Sequence, residues 1–273
     1  FLNYFKILDS KLLIPEKIRQ ELINGHYQLD SIGMSGSSIR IYGDKVLKIQ
    51  KLTKEAQNEL SLLQFLHGKF PVPDIYTFDE SNGQSCILMS KCPGKMACDT
   101  SYMENTSTQI KILANTLKQL WKIDISNCPV DNRISIKLKQ AEYNVKHGLV
   151  NIENVDPSTF GENGFKDPSH LLQWLYENMP KEEPVFSHGD FCLPNIFGDG
   201  EEPTGVIDLG RGGIADKWCD IALCYRSLAD NYSGKYAKNG GSKNNGIDCF
   251  FKELGFDPDF EKIRYYILLD ELF

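Results

Sequence analysis

The 273 residues predict an α+β protein of two unequal lobes: an N-terminal antiparallel sheet lobe with one main helix over 1–91, and a larger, mostly helical C-terminal lobe over 92–273. Three observations carry this. Short β-rich runs bounded by Gly, Asn and Asp crowd the first third. Apolar residues at three- and four-residue steps dominate the rest. The change of character falls at "MSKCPGK", a hinge near residues 90–94.

The runs "YQLDSIG", "SIRIYG", "KVLKIQ", "DIYTFDE" and "CILMS" supply the strands. The interrupting helix is "EAQNELSLLQFLHGK", where Leu60, Leu63 and Leu66 keep the helical step and Gly68 closes it. "PVP" at 71–73 forces an extended exit. Past the hinge, Ile110, Leu113, Ala114, Leu117, Leu120 and Trp121 form one apolar stripe, and "KLKQAEYNVKHG" predicts a helix ending at Gly148. Asp167-Pro168 and Asp257-Pro258 each predict a helix start, Asp capping and Pro taking the first helical position. Two strand-like runs, "PVFSHGD" and "TGVIDLG", interrupt the helices, and 233–246 is a polar loop without periodicity. Trp121, Trp174 and Trp218 lie in helical stripes and belong to the core.

Composition excludes several classes. With 41% hydrophobic and 25% charged residues the chain can bury an ordinary core. No apolar run of about 18 residues exists, and the charges scattered through "FLNYFKILDSKLLIP" do not make a signal peptide, so no membrane partner is expected. The eight cysteines form no C-x-x-C pair, which predicts free thiols in a reducing cytoplasm. A formal charge of -7, with the acidic excess after residue 91, argues against a nucleic-acid partner. The histidines show no zinc-ligand spacing.

The chemistry concentrates in "SHGDFCLPNIF" and "VIDLGR". His188, Asp190 and Asn195 form an H-x-D-x-x-x-x-N loop, and Asp208 opens an Asp-x-Gly loop. Kinase-type phosphotransfer needs this set: a carboxylate beside the attacking hydroxyl, and an amide oxygen and second carboxylate as hard ligands for Mg²⁺. Asp190 is then the catalytic carboxylate, Asn195 and Asp208 the metal ligands, and His188 a brace for the loop, with Asp220 bonding the loop's backbone. The same logic predicts a lysine for the phosphates in the first lobe: Lys48, mid-strand among apolar residues, with Glu59 on the following helix as its partner. Ser35, Gly36 and Ser37 begin a small-residue turn able to cover phosphates, and at the hinge the Ser90 carbonyl and Cys92 N–H can meet adenine.

The motifs "FSHGDFCLPNIF" and "GVIDLGRGGIADKWCDIAL" with the ending "YYILLDELF" resemble the aminoglycoside 3'-phosphotransferases, the kanamycin and neomycin kinases, across nearly the whole chain. The resemblance implies a bilobal protein-kinase-like fold, ATP as donor with GTP as the variant, and Mg²⁺. It implies Asp190 as catalytic carboxylate, Asn195 and Asp208 on Mg²⁺, and Lys48 with Glu59 on the nucleotide. It also implies antibiotic-pocket roles for Arg211, Asp230, Asp270, Glu271 and the terminal carboxylate of Phe273. Val46 stands where some relatives carry an aromatic that stacks on the base, and Asp156 and Glu162 are the candidates for the relatives' acidic substrate loop.

The C-terminus carries its own physical expectation. A helix from about Pro258 ends on Asp270, Glu271 and a free carboxylate at a pole that already holds roughly half a negative charge, which calls for a cationic ligand. An aminoglycoside fits that demand. The alternatives are a kinase of the same fold acting on choline, homoserine or a sugar amine, and a nucleotide-binding pseudokinase without catalysis.

Overall fold

The computed structural model describes residues 14–22, 26–29, 36–153, 155–162, 164–235 and 246–273. The chain opens with α1 (Glu16–Glu21) and strands β1 (Gln28–Leu29), β2 (Ser38–Tyr42) and β3 (Lys45–Lys51); then follow α2 (Lys54–Leu66), β4 (Ile75–Ser81) and β5 (Gln84–Ser90). The five strands form one antiparallel sheet in the order β1-β2-β3-β5-β4. In β3 alternate side chains face opposite ways. Leu47 and Ile49 join Cys86, Leu88 and Ile18 of α1 in a small core on one face. Val46, Lys48 and Gln50 therefore share the other face, the one whose Ile87 and Met89 join the core that includes Leu62, Leu63 and Leu66 of α2. Thr53 caps α2 by accepting from the Ala56 N–H at 3.2 Å, and the glycines expected to close helices, Gly68 and Gly148, have φ of 74° and 63°.

Beyond the sheet come β6 (Lys95–Met96), α3 (Thr100–Met103), α4 (Thr106–Leu120), α5 (Ile134–Lys146), α6 (Pro168–Glu177) and β7 (Pro184–Ser187). The chain continues through β8 (Ile196–Asp199), β9 (Glu202–Val206), β10 (Gly213–Asp216), α7 (Lys217–Tyr232), α8 (Gly246–Leu254) and α9 (Phe260–Asp270). Ile110, Leu113, Ala114, Leu117 and Leu120 of the predicted stripe are buried in the main core. Trp218 is buried, and Trp121 and Trp174 pack against the same core. All eight cysteines are free. Among the described residues no helix is long and apolar enough to cross a membrane.

Two expectations change. Among the described residues the second lobe holds five strands instead of two, in two small sheets, β6-β8-β9 and β10-β7. The extra strands are two to four residues long, too short to display alternation, and β6 and β10 take partners far along the chain. Asp167 caps α6 through the His170 N–H at 2.9 Å with Pro168 first, as expected. For α9, however, the cap is Asp259, accepting from the Lys262 N–H at 3.0 Å, so the helix starts after Asp257-Pro258. Of the polar loop at 233–246, residues 236–245 lie outside the described residues, and Gly246 already begins α8.

These elements deliver two loops to one place. β7 leads into the His188–Asn195 segment, and β9 leads through Ile207 into Asp208. The loops touch at Gly189, φ 80°, where an added Cβ would stand 1.9 Å from the Arg211 carbonyl oxygen. Only glycine allows that approach. Gly189→Ala is expected to cost at least about 2 kcal/mol, from the left-handed backbone and the collision together; a urea denaturation midpoint indistinguishable from wild type would contradict it.

Candidate active site

The His188–Asn195 loop is held from below by one buried carboxylate. Asp220 of α7 accepts the Ser187 hydroxyl at 2.9 Å, the His188 N–H at 2.8 Å and the Gly189 N–H at 2.8 Å. Burial pushes the Asp220 carboxyl above its ordinary value, against the pull of these donors. His188 is fully buried; its Nε2 lies 2.8 Å from the Ile207 carbonyl, and its Nδ1 receives the Asp190 N–H at 3.3 Å. A ring carrying its hydrogen on Nε2 serves both bonds, so His188 is a brace between the two loops. Asn132 completes the clamp, its Nδ2 donating to the Arg211 and Gly212 carbonyls at 3.0 and 2.6 Å.

Asp190 is fixed at both carboxylate oxygens. Asn195 Nδ2 donates to Oδ2 at 3.0 Å and to the Asp190 carbonyl at 2.9 Å. The Cys192 thiol, pushed well above its ordinary pKa by burial and by Asp190, donates to Oδ1 at 3.2 Å.

Across from this loop, Lys48 is buried at 5% exposure and Glu59 at 3%. The Lys48 Nζ lies 2.7 Å from Glu59 Oε1 and also bonds Asp208 Oδ1. Burial alone would lower the Lys48 pKa; the two carboxylates outweigh it and hold the ammonium above its ordinary value of 10.5. Asp208 occupies the left-handed region at φ 61°, ψ 53°, which an aspartate tolerates at a cost of order 1 kcal/mol. Gln50, two residues after Lys48, donates from Nε2 to the other Glu59 oxygen at 2.9 Å. The sequence thus pairs Lys48 with Glu59 correctly, and the structure adds Asp208 to the same ammonium.

The remaining nucleotide-side candidates are spread out. Ser35 lies outside the described residues. Gly36 is exposed, and the Ser37 hydroxyl donates to Gln50 Oε1 at 3.3 Å. At the hinge the Ser90 hydroxyl accepts the Asp74 N–H at 2.9 Å, leaving the role foreseen for Ser90 to its backbone. Cys92 is buried, and its thiol is pushed up to about 12 by that burial.

On the other side of Asp190 the charge balance differs from the sequence expectation. Asp270 is bonded by Arg211 Nη1 at 3.2 Å and by Arg226 Nη2 at 2.5 Å, and Arg226 also reaches Glu271 at 3.6 Å. The demand for a cation at the helix pole is met internally, by an arginine of α7 that the sequence reading missed. Its one signal was a charge inside the apolar run "CDIALCYRSL". Burial pushes the Asp270 carboxyl up, but Arg226 and Arg211 overcome this and hold it below 3.8. Glu271 is raised above 4.5 by burial and accepts the Asp156 N–H at 3.0 Å. Asp156 therefore adjoins the C-terminus, whereas Glu162 is exposed. Asp230, one helical turn beyond Arg226, pairs with Lys235 at 2.8 Å. The tail is pinned: Leu272 is fully buried, its carbonyl accepts from Asn144 at 2.9 Å, and the Phe273 ring lies 5.9 Å from the Arg211 guanidinium.

Among the described residues no three His, Cys, Asp or Glu side chains gather as a metal-holding group. Asn195 and Asp208 nevertheless suit Mg²⁺ in the kinase manner. An amide whose nitrogen is committed to Asp190 presents its oxygen, and one amide with one carboxylate is a donor set that phosphate oxygens and water complete.

A buried lysine–glutamate pair under an antiparallel sheet, facing an Asp/Asn loop and an Asp-x-Gly loop, defines a phosphotransferase of the protein-kinase-like type. The chain belongs to the phosphotransferase enzyme family, whose model it matches over residues 28–247, and within it to the aminoglycoside 3'-phosphotransferases. It is 34% identical over 277 residues to an aminoglycoside 3'-phosphotransferase of Enterococcus faecalis, covering 97% of this chain and 100% of that one. A crystal structure of an aminoglycoside 3'-phosphotransferase of type VIII superposes with a TM-score of 0.74 at 25% identity, over 94% of this chain and 97% of that one. An aminoglycoside phosphotransferase of Streptomyces rimosus, solved with ADP and streptomycin, shares the fold with a TM-score of 0.73 at 20% identity, over 95% and 99% of the two chains.

The arginine pair gives Asp270 a definite pH signature. Its folded carboxyl binds a proton less readily than the unfolded one, so ionised Asp270 contributes stability that is complete above the ordinary 3.8 and is lost as pH falls through the folded value. Asp270→Asn is therefore expected to lower Tm at neutral pH, with the gap to wild type closing as pH falls below about 4. A gap constant across that range would show that Asp270 titrates normally.

Proposed function

We propose that this enzyme transfers the γ-phosphoryl group of ATP to a hydroxyl of an aminoglycoside, the 3'-hydroxyl, and so confers resistance from the cytoplasm, where ATP is supplied. GTP is the alternative donor. The observation that carries the reading is that Asp208 bonds the Lys48 ammonium of the Lys48–Glu59 pair, while the loop holding Asp190 and Asn195 is tied beside it by the Ile207 N–H donating to the Asn195 carbonyl at 3.1 Å. The relatives' printed activity supports the choice of acceptor. The lobe over 1–91 takes the nucleotide, and the lobe over 92–273 takes the acceptor.

Lys48 meets the α- and β-phosphates, and Glu59 aims it; the backbone of Gly36 and Ser37 covers the phosphates, and Ser90 and Cys92 meet the base. Mg²⁺, when bound by Asn195 and Asp208, neutralises charge on the β- and γ-phosphates. Asp190, fixed at both oxygens, receives the hydrogen of the acceptor hydroxyl and points its oxygen along the line of attack. A new O–P bond forms as the bond from the γ-phosphorus to its bridging oxygen breaks, and ADP departs. Because the transition state is loose, orientation contributes more than early proton removal. Arg211, Asp230, Asp270, Glu271 and Phe273 shape the acceptor side. With Asp270 countered by Arg226 and Arg211 and Asp230 by Lys235, the acceptor's ammonium groups rely more on Glu271 and Asp156.

Incubation with kanamycin, ATP and magnesium is expected to yield one phosphate ester, with phosphorus coupled to the 3' proton in NMR. Turnover with choline but not kanamycin would replace the acceptor assignment, and silence with every acceptor would favour a nucleotide-binding protein without catalysis. Asp190→Ala should lower turnover by about 10³-fold while leaving nucleotide affinity within about threefold. An equal loss of nucleotide affinity would remove Asp190 from the catalytic position.

A further inference from the structure

We infer that Gln50 is a positioning residue for the phosphate-binding lysine, acting through Glu59 and tying the phosphate-covering turn to the buried ion pair. The inference rests on the nucleotide site proposed above. β3 places Gln50 on the face of Lys48, since residues two apart in a strand point the same way. Glu59 is almost fully buried, and Lys48 takes only its Oε1. Oε2 would then be a buried carboxylate oxygen in need of a donor, and Gln50 Nε2 provides one at 2.9 Å. The other end of the same amide, Oε1, accepts the Ser37 hydroxyl at 3.3 Å.

A continuous polar chain thus runs from Ser37 through Gln50, Glu59 and Lys48 to Asp208. It spans the turn over the phosphates, the lysine between the lobes and the Asp-x-Gly loop. An amide suits position 50 because it donates at one end and accepts at the other. A carboxylate there has no hydrogen for Glu59 and would repel it; an aliphatic side chain would serve neither neighbour. Without Gln50, Glu59 keeps one partner and rotates more freely, and the Lys48 ammonium loses its fixed direction.

The test is calorimetric titration of ADP with magnesium into wild type, Gln50→Leu, Gln50→Glu, Glu59→Ala and the double variant Gln50→Leu/Glu59→Ala, none of which needs an acceptor. Gln50→Leu is expected to weaken ADP binding about tenfold, and Gln50→Glu, equal in size but repelled by Glu59, at least as much, with each variant's thermal melting showing that it is folded. In the Glu59→Ala background, adding Gln50→Leu should change affinity by less than about twofold, because its target is gone. Wild-type affinity in both Gln50 variants overturns the inference and leaves the proposed function standing. An equal tenfold loss with and without Glu59 also overturns it, showing that Gln50 acts on the fold at large. No ADP binding by wild type would instead bring down the nucleotide site itself, and the inference with it.

Discussion

The Lys48 ammonium lies inside the protein, and the arrangement of both lobes follows from what it takes to keep it there. An unpaired buried charge costs several kcal/mol, so the strand that carries Lys48 is tolerable only if carboxylates reach it. Glu59 comes from the next helix and Asp208 from a turn 160 residues away in sequence. To bring them together, α2 must lie against the Asp-x-Gly loop. The contact is close: an added Cβ on Gly210 would stand 2.9 Å from the Glu55 carbonyl oxygen, and Asn58 donates to the Gly210 carbonyl at 3.3 Å. The ion pair and this backbone packing demand the same geometry, which is why neither can shift alone.

A second, half-buried charge repeats the principle at the end of the C-terminal helix. Asp270 is kept ionised by Arg211 and Arg226, and Arg211 also touches Glu55 at the start of α2 at 3.3 Å. Arg211, just after the Asp-x-Gly loop, therefore joins the C-terminal helix α9 to α2. The Glu55 contact is exposed and contributes little stability by itself. Its place, beside the closely packed Gly210, makes it a marker of where the two halves of the site meet.

Much of this site was legible because its key residues sit in short, contiguous loops. The spacing of His188, Asp190 and Asn195 is set by one turn of chain, and the Lys48–Glu59 pair by a strand and the helix after it; local geometry dictates both. Alternation in β2 to β5 and the stripe of α4 were equally plain, since each element faces a single core. The Asp259 cap and the strands β8 and β10 were misread or missed, because a two-to-four-residue strand is created by its partner and leaves no period of its own.

The sequence by itself determined the class of chemistry, the strand-rich first lobe and the helical second, because these depend on residue types at short spacings. Only the tertiary structure decided that Asp208 shares the Lys48 ammonium, that Gln50 holds Glu59, and that Arg226 meets the charge at the C-terminal helix end. The physical reason is that a buried polar group takes whichever partner the packed chain brings within hydrogen-bond reach, and that choice is made by elements far apart in sequence.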